Sequence, residues 1–299
     1  MTAGRQTHLD QLESEAIHII REGVAQAENP VLLFSGGKDS TVLAELAVRA
    51  FWPSRPPVPL LHVDSTWEFR EVLAFRDRFA AQHGFDLLVH ANEDGRAQDL
   101  NPVHHGDVYT TMMRTEALRQ ALDRWGFDVI FGGARRDEEA TRAKERIVSV
   151  RQPGHVWEPR SQRPELWSIY NCNLGQGQTA RVYPLSNWTE QDLWTYIVSR
   201  KLELAPLYSA RERPVASRDG TLIVVDDDEQ GRFLGFGETR MMMVRFRSLG
   251  CWPVTGAEPS RAADLTAVAG ETLMSGRSER SGRVSDSGSL EAQKRQGYF

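Results

Sequence analysis

Ser35-Gly36-Gly37-Lys38-Asp39-Ser40 gathers two hydroxyls, two glycines, an ammonium and a carboxylate in consecutive positions. Those residue types suit the holding of a phosphate. Paired glycines let the backbone turn tightly and bring its N–H groups close to an anion, while Ser35 and Ser40 add hydroxyl donors and Lys38 a mobile charge. The register differs from G-x-x-x-x-G-K-[ST], so the loop is not of the Walker A kind. A bare glycine-rich turn would need only the glycines. Here an apolar strand (Val31 to Phe34), a hydroxyl, the Gly pair, Lys, Asp, Ser and an amphipathic helix agree in one stretch, and the helix aims its positive end at the loop.

A second anion-seeking constellation begins at Gly132-Gly133-Ala134-Arg135-Arg136-Asp137 and runs through an Arg-rich stretch to Arg151. Guanidinium groups present paired donors to tetrahedral oxyanions. Lys38, Arg135 and Arg136 are therefore the candidate catalytic groups. Ser35, Gly36, Gly37, Asp39, Ser40, Asp64, Gly132, Gly133 and Asp137 are the candidate binding residues. Asp137, Glu138 and Glu139 would cap a helix or hold Mg²⁺, and residues 142–146 read equally well as a solvated helix with pairs such as Glu138–Arg142. Asp64 sits at a strand's carboxyl end, placed to bind a nucleoside or Mg²⁺ or else to cap the following helix. His62, inside an apolar run, reads as a core histidine, and His104 and His105 read as loop residues. Neither a Ser-His-Asp arrangement nor a zinc-ligand set is visible.

The elements that must position these residues alternate. The pattern predicts a helix over 8–26, the loop strand, the loop helix, a strand ending at Asp64, a helix over 69–83, a strand over 85–90, a helix over 111–125 and a strand over 127–133. That order argues for an α/β fold, a doubly wound parallel sheet with ligands outside the carboxyl ends of its strands. Residues from Val150 to about Tyr183 show no clean period and read as a long ordered loop. Thr189 is a plausible N-cap for a helix through Val198, and Asp219-Gly220 signals a hairpin. The division expected is residues 1–200 as the main unit, 201–275 as a smaller C-terminal unit, and 276–299 as a Ser/Gly-rich, charged tail that is floppy or partner-bound.

Composition narrows the classes. The chain has 299 residues, 40% of them apolar, and a net charge of −5, which does not advertise nucleic-acid binding. No apolar window spans a membrane and no secretory signal opens the chain, so a cytoplasmic location is expected. Cys172 and Cys251 form no C-x-x-C pair.

The loop resembles the S-G-G-x-D-S loop of the ATP pyrophosphatases, which cleave ATP between its α and β phosphates. With VDSTWEFRE, GGARRDEEATRAKER, RPELWSIYN, PLSNWTEQDLW, VRFRSLGCWPVTGA and the terminal GYF, the chain closely resembles the small subunits of bacterial sulfate adenylyltransferases over nearly its whole length. That resemblance implies an adenine nucleotide alpha-hydrolase-like fold and adenylyl transfer from ATP to sulfate. It also implies Mg²⁺ and a larger GTPase subunit as partner. Ser35 to Ser40 match the pyrophosphate loop, and Gly132 to Asp137 match a segment of the family. Two positions depart: Asp64 is followed by Ser-Thr where many members have Thr-Gly, and Gly36 stands where some have Ile. The related phosphoadenylyl sulfate reductases need a cysteine near the carboxyl end, and no cysteine follows Cys251 here.

Overall fold

The computed structural model describes residues 7–138 and 142–275. Glu139, expected to cap a helix or bind a cation, and the tail 276–299, expected to be floppy or partner-bound, lie outside the described residues.

Apolar runs too short for helices become the central strands. They are β1 (Pro30–Leu33), β2 (Leu60–Val63), β3 (Leu87–His90) and β4 (Val129–Phe131). Three further strands follow, β5 (Val148–Gln152), β6 (Val156–Trp157) and β7 (Thr179–Val182). The sheet order is β3-β2-β1-β4-β7-β5-β6. β1, β2, β3, β4 and β7 run parallel, whereas β5 and β6 are antiparallel to their neighbours. The fold is thus the expected doubly wound α/β type, with a mixed edge added to a mostly parallel sheet.

That edge corrects the reading of 150–183 as loop. Its strands are short and carry Ser149, Arg151 and Arg181 at buried positions, so no apolar alternation marks them. The solvated helix, one of two readings for 142–146, is absent: a 3₁₀ turn, Arg142–Lys144, is followed by β5. The expected Glu138–Arg142 ion pair does form.

Helices α1 (His8–Gln26), α2 (Lys38–Phe51) and α3 (Arg70–His83) flank the parallel strands. Thr7 caps α1 in a reciprocal capping box with Asp10, satisfying two donors at the helix start. Thr189 does the same with Asp192 for the helix Glu190–Arg200. The helix expected over 111–125 opens as a π-helical turn, Thr111–Glu116, before continuing as Ala117–Trp125.

Beyond residue 210 the chain closes a four-stranded antiparallel barrel from β8 (Arg211–Arg218), β9 (Thr221–Val224), β10 (Arg240–Arg245) and β11 (Gly256–Pro259). The β8–β9 hairpin turns at Asp219 (φ 48°) and Gly220 (φ 79°), the left-handed pair that suits the strand twist. One apolar cluster runs from Leu12 and Ile20 of α1 through Leu32 and Trp194 to Ile223 and Val244 of the barrel, so both halves share a core.

Candidate active site

The carboxyl edge of β1 delivers the loop. Gly36 takes φ 72°, and a Cβ there would stand 2.7 Å from Val72 Cγ1, so the sharp turn and the close approach of α3 both favour glycine. Gly37 is the N-cap of α2 and offers no side chain to cap it. Hydroxyls fill in: Thr41 Oγ1 and Ser40 Oγ donate to the Gly37 carbonyl at 2.9 and 3.0 Å, and Ser35 Oγ accepts from the Gly37 amide at 3.3 Å. Ser35 and Ser40 oxygens are 3.2 Å apart.

Asp39 organises the charge. Its Oδ2 accepts from Lys38 Nζ at 2.9 Å and its Oδ1 from Arg135 Nε at 2.6 Å, joining the two segments that the sequence singled out. The Lys38 and Arg135 side chains are 1% and 0% exposed, while Asp39 keeps 24%. Burial alone would raise the Asp39 carboxyl, but the neighbouring charges of Lys38 and Arg135 outweigh it and hold the group well below the usual carboxylate range. Two cations share one carboxylate at a helix N-terminus.

The β4 edge is fitted against this loop. A Cβ on Gly133 would meet the Asp39 backbone at 3.0 Å, and one on Gly132 would meet Tyr183 at 3.2 Å. A larger residue at either position would force its neighbour to shift, so glycine suits this close approach. Arg136 donates to Asn187 Oδ1 at 2.5 Å with its side chain 34% exposed. Asp137 accepts from the Glu190 amide at 3.1 Å, and its side chain is 50% exposed.

Asp64 stands apart from the Asp39 network, at the end of β2. It lines an open cleft of about 700 Å³ with Thr66, Trp67, Glu68, Arg96, Leu100 and Phe233. It does not cap α3, whose N-cap is Phe69; instead its Oδ1 accepts from the Thr66 amide at 2.8 Å. Thr66 takes φ 70°.

Sequence reasoning missed two contributors. The Tyr208 hydroxyl accepts from the Lys38 amide at 2.8 Å, a contact across 170 positions that no local pattern signals. Cys251 is 1% exposed. Its sulfur also meets Tyr109 Oη and Arg114 Nη2, each at 2.9 Å, and Ser65 Oγ at 3.4 Å. These contacts brace the turn after Asp64. His62 is buried, as expected, with Nδ1 2.9 Å from the Phe34 carbonyl oxygen. Burial pushes its imidazole down from its ordinary value.

Comparison with known proteins places the family and agrees with the fold. The phosphoadenosine phosphosulfate reductase domain model matches residues 29–257. A sulfate adenylyltransferase subunit 2 of Alkalilimnicola ehrlichii is 56% identical over 297 residues, 98% of each chain. A sulfate adenylyltransferase subunit 2 of Methylorubrum populi is 57% identical, covering 99% of this chain and 96% of that one. Among solved structures, Candida glabrata FMN adenylyltransferase in complex with FAD and inorganic pyrophosphate superposes with a TM-score of 0.51. It is 15% identical and covers 93% of this chain and 88% of that one, a likeness of fold. With near-complete coverage at more than half identity, the chain belongs to the sulfate adenylyltransferase subunit 2 family, nucleotidyltransferases built on the phosphoadenosine phosphosulfate reductase domain.

Proposed function

We propose that the chain transfers the adenylyl group of ATP to sulfate, giving adenosine 5′-phosphosulfate and pyrophosphate. The observation that carries this reading is identity of 56% across 98% of a sulfate adenylyltransferase subunit 2. The Asp39-centred network supports it. A sulfate oxygen attacks the α-phosphorus, the bond from that phosphorus to the bridging oxygen breaks, and the electron pair leaves with pyrophosphate. Such a reaction asks the protein chiefly to position the groups and to absorb negative charge.

In this reading the α2 N-terminus, Ser35, Gly36, Gly37 and Ser40 hold the pyrophosphate portion. Lys38 and Arg135, which share the Asp39 carboxylate, exchange part of their hold on it for phosphate oxygens. The more exposed Arg136 draws anions to the edge. Gly132 and Gly133 keep the β4 end close to the loop. The cleft at Asp64 takes the adenosine end.

Mg²⁺ belongs to the same proposal. It commonly binds through one or two carboxylates plus substrate phosphates rather than in an all-protein cage. The donor set fits that habit: among the described residues no group of three candidate ligands occurs, and the half-exposed carboxylate of Asp137 lies 3.8 Å from Arg135 Nη1. Asp137 would hold the ion against the triphosphate. When bound, it would screen the triphosphate charge.

The phosphosulfate anhydride is strongly uphill to form, and this chain has no Walker A loop with which to hydrolyse GTP itself. A GTPase subunit as partner supplies the coupling. The "subunit 2" naming of the relatives fits a heteromeric enzyme. No described helix is long and apolar enough to cross a membrane, which fits the proposed place of action in the cytoplasm.

The test is formation of radiolabelled adenosine 5′-phosphosulfate from ATP, sulfate and Mg²⁺ with pyrophosphatase present, with and without the GTPase subunit and GTP. Product that accumulates strongly only with both supports the reaction and its coupling. ATP binding without product under any combination overturns the proposal.

A further inference from the structure

One face of the sheet's added edge carries a cluster for which nucleotide chemistry has no use. Arg181 on β7 is paired in register with Ser149 on β5, and Arg151 on β5 with both Thr179 on β7 and Trp157 on β6. Residues paired in register, and alternate residues along a strand, share a face. Ser149, Arg151, Trp157, Thr179 and Arg181 therefore lie together. Arg151 and Arg181 are 1% and 4% exposed.

Arg151 is largely matched. Its Nη2 donates to Glu145 and its Nη1 to Ser149 Oγ, both at 2.6 Å, and its guanidinium stands 5.7 Å from the Trp157 ring centre. Arg181 is not. Both of its terminal nitrogens are buried without a partner, as are Arg151 Nε, Thr179 Oγ1 and Trp157 Nε1. All five of these groups can donate, and only the threonine hydroxyl can also accept.

Charge is unbalanced in the same place. Among the described residues, Glu145 is the one carboxylate that acts on Arg181, and it already binds Arg151. Burial, with repulsion from Arg151 added, brings Arg181 down to about 10. It therefore stays charged at neutral pH. A neutral acceptor such as water would satisfy the N–H groups and leave the surplus charge buried, whereas an anion meets both needs at once.

We propose that Arg181, Arg151, Thr179 and Trp157 form a buried binding site for a small inorganic anion, separate from the nucleotide loop. The gathering of unpartnered donors on one buried, net positive face is the observation behind it. The site stands apart from the adenylyl-transfer reading and does not need it.

The test uses the full chain. Thermal unfolding is followed at fixed ionic strength while sodium gluconate is replaced by sodium bromide or by sodium sulfate. A ligand that binds only the folded state raises the midpoint with the logarithm of its concentration once above its dissociation constant. About 2 °C or more per tenfold anion is expected, and Arg181→Met should lose that dependence. Crystals soaked in bromide supply a readout that needs no variant, an anomalous peak between Arg151 and Arg181. Should Arg181→Met fail to fold, Thr179→Val is the milder variant, expected to reduce the dependence. A response to bromide identifies a halide site and a response to sulfate alone an oxyanion site, and either supports the proposal. It is overturned by midpoints equal in all three salts with no anomalous peak, or by an Arg181→Met protein that responds as the parent does.

Discussion

The Tyr208 hydroxyl takes the hydrogen bond of the Lys38 amide at 2.8 Å, so a residue from the C-terminal half occupies an N–H at the opening of α2. Tyr208 is 1% exposed and packs edge-on against Trp194, their ring centres 5.8 Å apart. Tyr208→Phe preserves that packing and removes only the oxygen. A buried donor left without an acceptor costs about 1–3 kcal/mol. Urea unfolding should show a loss in that range, and kcat/KM for ATP should fall by about tenfold as the loop loses its brace. Unaltered kinetics with the same stability loss would make Tyr208 a structural support alone.

Asp39→Asn strips the shared carboxylate from Lys38 and Arg135. Breaking a buried pair by removing one partner typically costs about 3–5 kcal/mol, because the remaining charge has no counterpart. Here two cations lose it together, and Asp39 is itself a quarter exposed, so the lower end of that range is expected in urea unfolding. The pH dependence has a fixed sign. Because the folded-state carboxyl is held below its ordinary 3.8, its contribution is complete above that pH and shrinks as the pH falls below it. The parent should therefore lose stability relative to Asp39→Asn on acidification below about pH 4. Parallel acid profiles for the two proteins would refute the network.

Thr66 is a β-branched residue at φ 70°. A non-glycine residue in this region stores about 1–3 kcal/mol, and glycine's freer unfolded chain takes back about 0.4–1. Thr66→Gly is expected to stabilise the chain by about 1 kcal/mol, measured by urea unfolding. A loss of stability would show that the Thr66 side chain contributes more than its backbone strains.

Gly133→Ala would place a methyl group 3.0 Å from the Asp39 backbone carbon, where no flexible side chain can yield. Overpacking of this kind costs about 1–3 kcal/mol and pushes the β4 end from the loop. ATP affinity, read by calorimetry, should fall while sulfate-independent features such as far-ultraviolet circular dichroism stay unchanged. Full affinity would separate Gly133 from the site.

Cys172 offers a pH test. Burial, the largest influence, pushes its thiol from 9.0 up to about 12. A raised acid contributes stability that is complete below pH 9.0 and is lost as pH rises toward 12. Cys172→Ser should flatten alkaline destabilisation in that window, and the native thiol should react with aromatic disulfides only slowly at pH 8. Rapid labelling of the folded protein would contradict this.

Much of the candidate site was legible because the residue types that compose it are local. Ser35 through Ser40 form a continuous loop, and the glycines that permit it sit beside the groups it presents. The Gly132–Asp137 segment was legible for the same reason. What escaped was whatever depended on distant partners. That Lys38 and Arg135 meet on Asp39 needs β1 and β4 to be neighbours, and that Tyr208 reaches Lys38 needs the 3₁₀ turn Pro206–Tyr208 to pack back on the loop. The strands β5 to β7 escaped because Arg151 and Arg181 are buried where a strand's apolar alternation would be sought. Thr189 and Asp219-Gly220, by contrast, announce their elements by side-chain and backbone chemistry alone.

The place of β7 also bears on how the molecule is made. It lies between β4 and β5 in the sheet, yet it follows β5 and β6 in the chain. During synthesis the β5–β6 hairpin emerges first and has no seat on the growing sheet until residues 179–182 arrive to pair with β4. Contacts of such sequence separation form late and slowly. A ribosome-bound chain that stops short of β7 should thus display its Arg-bearing hairpin as unattached edge, open to chaperones, and the Arg135 loop should settle on Asp39 only after that strand has been delivered.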